Sequence, residues 1–112
     1  MDTNTTNKGK YFESKAIEFL KDNNYKIVEK NYRAKKLGEI DIIALKNDVY
    51  HFVEVKSGTN FEAVYNITPK KLNKLYKSID FYLKEKNLDT AYCIDAIIFN
   101  NQDLEYLENI TL

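Results

Sequence analysis

The sequence predicts an α/β fold, a mixed β-sheet flanked by helices in the order α-β-β-β-α-β with a final β segment. Three observations carry this. Apolar residues recur at helical spacing near the start of the chain and again after Thr68, whereas between these stretches the period falls to two. The second helical stretch lies between the third and fourth strand-like runs. Such a helix is a crossover connection, so those two strands run parallel. The length of 112 residues suits one domain spanning 1–112, too short for two separate cores.

Residues 1–7, MDTNTTN, are polar and read as a disordered lead-in. From Gly9 onward Phe12, Ala16, Phe19 and Leu20 form an apolar stripe, which predicts a helix up to Asn23 or Asn24 with Glu13 beside the stripe. YKIVEKNYRA then reads as a strand, KKLG as a turn, EIDIIAL as a second strand, KND as a tight turn and VYHFVEVKS as a third. GTNFEAVYN reads as a loop. Thr68 followed by Pro69 marks a helix start, with the threonine hydroxyl as N-cap and the proline where its missing N–H costs nothing. Leu72, Leu75, Tyr76, Ile79, Tyr82 and Leu83 give this helix one apolar face, and Lys70, Lys74 and Lys77 share another. Asn87 to Asp89 end it. AYCIDAIIF is a strand beside the third, and DLEYLENITL fits either a last strand or a short helix.

Composition narrows the function classes. No run approaches the roughly 20 apolar residues that span a bilayer, and MDTNTTNKGK lacks the apolar segment of a signal peptide, so no membrane is expected and the cytoplasm is the default. The single Cys93 reads as a buried thiol and excludes an internal disulfide or a zinc knuckle. A net charge of zero counts against a dedicated DNA-binding protein. The charge is uneven, however: residues 91–112 carry four acids and no Lys or Arg, leaving 17 basic groups against 13 acids in residues 1–90. Clusters at Lys30, Arg33, Lys35 and Lys36 and at Lys70, Lys71, Lys74 and Lys77 suit either a solvated face or a local basic surface.

The two central strands place acids where a core is expected. By strand alternation Glu39 and Asp41 share one face and Ile40 and Ile42 the other, while Glu54 and Lys56 lie opposite Val53 and Val55. A hairpin turning at Lys46–Asp48 can bring Asp41 and Glu54 together, subject to a register that alternation alone leaves open. Two adjacent carboxylates repel unless a cation neutralises them, and Mg²⁺ suits a few carboxylates, several waters and phosphate oxygens. Such an ion can activate water for phosphodiester hydrolysis, and a lysine facing the same space can stabilise the developing charge. The plainer interpretation is a hairpin whose polar face meets water. His51 reads as a packed or surface histidine rather than a general base.

Asp41 followed by Glu54-Val55-Lys56 resembles the PD-(D/E)xK nuclease superfamily, the restriction-endonuclease-like fold. More closely, the chain resembles the small bacterial YraN family of predicted endonucleases, which are similar to Holliday junction resolvases. The likeness spans nearly the whole chain, through Gly9, Glu13, Ala16 and Leu20, Asn31-Tyr32-Arg33, Gly38 to Ala44, Phe52 to Lys56, and a lysine at Lys70 or Lys71. It implies Asp41 and Glu54 as metal ligands with Glu13 approaching the metal, Lys56 as the catalytic lysine, and Glu39 orienting Arg33 or a group behind the ligands. The implied cofactor is Mg²⁺, with Mn²⁺ as an alternative, and the implied partner is structured or branched DNA; junction symmetry would call for a homodimer. Arg33, Lys35, Lys36, Lys70, Lys71 and Lys74 would hold backbone phosphates. Ser57 and Gly58 stand where the family carries a Thr-Arg pair, removing one expected phosphate contact. A nucleic-acid-binding module that keeps the fold without turnover is the alternative function, and a structural protein with a stabilising ion is a third.

Overall fold

The computed structural model describes residues 3–58 and 68–110. Helix α1 (Thr3–Asp22) leads into β1 (Lys26–Arg33), β2 (Glu39–Lys46) and β3 (Val49–Gly58), and α2 (Pro69–Glu85) leads into β4 (Tyr92–Asn100) and β5 (Asp103–Leu107). The strands form one five-stranded sheet in the order β1-β2-β3-β4-β5. Its pairs are antiparallel except β3–β4, which is parallel across the α2 crossover. The predicted order holds, and the ambiguous last segment is a strand. GTNFEAVYN, predicted as a loop, lies outside the described residues apart from Gly58.

Helix α1 starts at Thr3 and takes in residues 3–7, which the sequence suggested as a disordered lead-in. The polar turns extend the helical ladder without an apolar stripe for periodicity to register. Both helices end alike. Asn24 and Asn87 take left-handed conformations, and Tyr25 and Leu88 donate backbone N–H bonds to Leu20 and Leu83, a closure that asparagine tolerates well. Thr68 caps α2 as predicted, its hydroxyl accepting from Lys71 N at 3.2 Å.

The helices cover opposite faces of the sheet. On one face Phe12, Ala16 and Leu20 of α1 pack with Ile42, Ala44, Val53, Ile97 and Phe99. On the other, Leu75, Ile79 and Tyr82 of α2 pack with Ile40, Ile43, Phe52 and Ile94. Strict alternation therefore fails in β2: Ile40 and Ile42, expected on one face, join different cores. On α2, Tyr76 stays 39% exposed and Ser78 is buried instead.

A polar network interrupts the core at β4. Asp95 is fully buried. It accepts from Tyr106 Oη at 2.5 Å and from Asn109 N at 2.9 Å, and lies 2.6 Å from His51 Nδ1. Tyr25 Oη lies 2.8 Å from Tyr106 Oη. One carboxylate thus ties β3, β5 and the following residues to β4, and a buried carboxylate with these partners is satisfied rather than stranded. Cys93, beside them, is partly exposed rather than buried as the sequence suggested. Asp95→Ala strands three polar groups at once and should lower unfolding stability by about 2–4 kcal/mol. Urea denaturation measures it; an unchanged midpoint would show that the network contributes no net stability.

Candidate metal centre

The geometry of the acids follows from a short turn. Asn47 and Asp48 both have positive φ, 51° and 65°, and form a two-residue hairpin loop that sets Lys46 opposite Val49. The ladder continues to Ile42 opposite Val53 and ends there. One step further the same register places Asp41 beside Glu54. Instead of another strand pairing, the Val55 N–H donates to Asp41 Oδ2 at 2.8 Å. Strand β2 leaves β3 at this point, which explains why Ile40 and Ile42 part company.

The opening holds the two carboxyls and Lys56. Burial pushes Glu54 up to about 8, reinforced by the neighbouring Asp41 charge and opposed by Lys56 and the Asp41 backbone N–H. Burial likewise pushes Asp41 up to about 6, opposed by the Val55 N–H and reinforced by the charges of Glu13 and Glu39. Glu54 Oε1 is the one buried side-chain polar atom among the described residues without a hydrogen-bond partner. A buried oxygen with no donor and a carboxyl pair that resists ionisation both favour an added cation. The all-oxygen donor set suits a hard divalent ion such as Mg²⁺ or Mn²⁺ that keeps part of its water shell.

Glu13 stands further back. Its Oε1 accepts from Asn31 Nδ2 at 2.7 Å. Among the described residues no trio of Asp and Glu oxygens closes to within 4.8 Å; the one trio of ligand-type side chains that does is His51, Cys93 and Asp95, in the network already satisfied. The fold therefore brings together Asp41 and Glu54, and Glu13 acts on Asp41 through its charge. Glu39 and Arg33 meet in an exposed pair at 3.5 Å.

The basic residues divide into two groups. Lys71 and Lys74 line a cavity with Glu54 and Lys56. Lys35 lies instead over the Phe81 ring, 5.7 Å from its centroid, and shares a separate groove with Lys77. Lys36 and Lys70 are exposed and line neither cleft. Sequence reasoning missed Ser78 and Ile110, both of which line the cavity. The signal for Ser78 was a small polar residue in an apolar stripe. Gly38 is the matching device: at φ +151° its Cβ would lie 2.8 Å from Ser78 Oγ, a hydroxyl that donates to Lys74 O. Only a glycine lets the start of β2 pass this close to α2.

Fold and site together define a small mixed α/β domain with an Asp-Glu-Lys cluster where its central hairpin opens. The chain belongs to the UPF0102 family: the profile described as Uncharacterised protein family UPF0102 matches residues 12–99. It is 55% identical to a UPF0102 protein of Aliarcobacter butzleri over 94% of this chain and 96% of that protein. It is 51% identical to one from Helicobacter hepaticus, covering 97% and 98% of the two chains. A UPF0102 protein of Wolinella succinogenes is also 51% identical, over 94% and 96%.

Two outcomes follow. Because Glu54 and Asp41 keep protons in the folded chain that the unfolded chain has released, the metal-free protein should lose stability as pH rises from about 4 through about 6 and about 8. Glu54→Gln removes the larger share. In EDTA the variant should therefore melt above the native protein near pH 8 and level with it near pH 4; equal melting at both would contradict the burial account. Gly38→Ala forces backbone and Ser78 apart and should cost about 1–3 kcal/mol in chemical denaturation, against no loss if the approach can relax.

Proposed function

We propose that this chain is a Mg²⁺-dependent endonuclease-like protein of the PD-(D/E)xK superfamily, hydrolysing phosphodiester bonds in structured or branched DNA. The observation that carries the proposal is the convergence of Asp41, Glu54 and Lys56 around a buried, unpartnered carboxylate oxygen, beside a cavity lined by Lys71 and Lys74. Asp41 and Glu54 would hold the ion, with Glu13 adding negative charge behind Asp41. The ion would supply positive charge against the phosphate and lower the pKa of water.

The remaining work falls to the chain's own groups. Lys56 orients the attacking water and offsets charge on the phosphoryl oxygens. Water adds to phosphorus as the bond to the leaving sugar oxygen breaks; the water gives up one proton to solvent and the leaving oxygen takes one from solvent, so that the products are a phosphate monoester and a sugar hydroxyl. Lys71 and Lys74 hold the flanking phosphates, with Lys70, Lys36 and Lys35 further out along the strand. Arg33 meets Glu39 in an exposed pair, a contact weak enough to leave it able to turn to a phosphate. Phosphate contacts position the substrate without reading sequence, which fits action on shape. A four-way junction has two-fold symmetry, so paired cutting there calls for a homodimer.

The test is cleavage of labelled linear, flapped and four-way-junction DNA in Mg²⁺, Mn²⁺ or EDTA. Native protein should cut a branched form in either metal, and Asp41→Ala should abolish cutting. Lys56→Met should reduce the rate at least about 100-fold while DNA binding is largely retained. Binding without cutting by the native protein, indifferent to metal and to Asp41→Ala, would establish the non-catalytic module instead.

A further inference from the structure

Beside the acid pair lies a cavity of about 190 Å³. Drug-sized pockets run from roughly 300 to 1,000 Å³, so this one is the size of a single ring system. Its charged side is Glu54 and Lys56, and its apolar wall is Leu72 and Leu75 of α2 together with Ile110. Lys71 and Lys74 supply further positive charge from the first turns of α2. A negatively charged group next to a flat apolar one is the ligand this lining complements.

We propose that the cavity receives the base of one unpaired nucleotide whose adjoining phosphate lies at Lys56, so that the strand is single at the point of attack. The proposal rests on the nuclease reading for the fate of the phosphate, but not for the seating of the base. In a regular duplex each base is stacked inside the helix, and its phosphate meets the protein from outside. Such a phosphate can reach Lys71 or Lys74 at the surface. It cannot approach the recessed Glu54 while its own base occupies the space between Leu72, Leu75 and Ile110. An unstacked nucleotide does both, and unstacking costs least where the strand is already unpaired.

The lining also predicts how the base is held. Among the described residues no aromatic side chain lines the cavity, so burial against aliphatic groups replaces the ring stacking common in single-strand binders. The Ser78 hydroxyl is occupied by Lys74 O, and Glu39 is paired with Arg33. Among the described residues few polar groups remain to read base edges, and recognition should be tolerant of sequence.

The experiment uses the full chain in EDTA, where no cleavage competes, with DNA carrying 2-aminopurine either in an unpaired flap next to a duplex or inside the duplex. Stacking quenches this base. The flap probe should brighten on binding, because it leaves its stacked neighbours for a pocket whose described walls are aliphatic, and the duplex probe should not. Leu72→Trp fills the cavity while leaving both lysines in place; it should abolish the brightening and weaken flap binding about tenfold, the worth of one buried base, with duplex binding unchanged. Ile110→Trp, from outside α2, serves the same purpose if Leu72→Trp does not fold. No brightening, or filled variants that bind the flap as tightly as native protein, would overturn the proposal. Repeating the assay in Mg²⁺ separates the two claims. Brightening without cleavage sinks the nuclease reading alone, whereas cleavage of fully paired duplex that is indifferent to Leu72→Trp sinks the base pocket alone.

Discussion

The hydrogen bond from the Val55 N–H to the Asp41 carboxylate decides most of what is distinctive about this domain. A strand N–H that would ordinarily meet a neighbouring carbonyl is given to a side chain, so β2 and β3 separate after Ile42 and Val53. That separation makes room for two acids and a lysine at the end of an otherwise apolar hairpin. It also turns Ile40 toward the α2 core while Ile42 remains in the α1 core. The cost is a carboxyl pair held against its ordinary ionisation and one oxygen left bare. A fold that keeps such a pair is less stable at neutral pH than one with apolar residues there, unless a cation completes it.

Elsewhere the molecule handles buried charge differently. Asp95 is more deeply enclosed than either site acid, yet His51, Tyr106 and the Asn109 backbone N–H surround it. The contrast separates an acid whose partners are supplied by the fold from one left with a bare oxygen. Asp95 binds the far strands together, whereas Glu54 faces a cavity with one oxygen unanswered. The residue after Asn109 extends the same arrangement: Ile110 donates its N–H to Ile94 O and forms a wall of that cavity. The structural network therefore places a residue of the site.

Much of this was legible in the sequence because it depends on short-range rules. Thr68-Pro69 announces the α2 start, and period-two apolar runs announce the strands. The pairing of Asp41 with Glu54 needed one more fact, the register, which the two-residue Asn47-Asp48 turn settles through its backbone conformation. Other features depend on contacts between residues far apart in the chain. Gly38 lies against Ser78, and Asp95 meets His51 across 44 positions. Neither leaves a periodic trace, although an acid within AYCIDAIIF and a serine within an apolar stripe were their visible signs. The basic clusters were legible as charge but not as place. Lys71 and Lys74 reach the cavity while Lys35 turns to Phe81, a division set by the relative positions of α2 and the β1–β2 turn.

The central claim is that the bare Glu54 oxygen and its Asp41 neighbour form a divalent-cation site. Titration of Mn²⁺ into the protein near pH 7.5, with free ion followed by electron paramagnetic resonance, tests it directly and needs neither DNA nor turnover. The account predicts that the native chain removes Mn²⁺ from solution, that Mg²⁺ competes it away, and that Asp41→Asn and Glu54→Gln each abolish the binding while Asp95→Asn leaves it intact. Binding that survives both site substitutions, or no binding by the native chain at millimolar Mn²⁺, would contradict it.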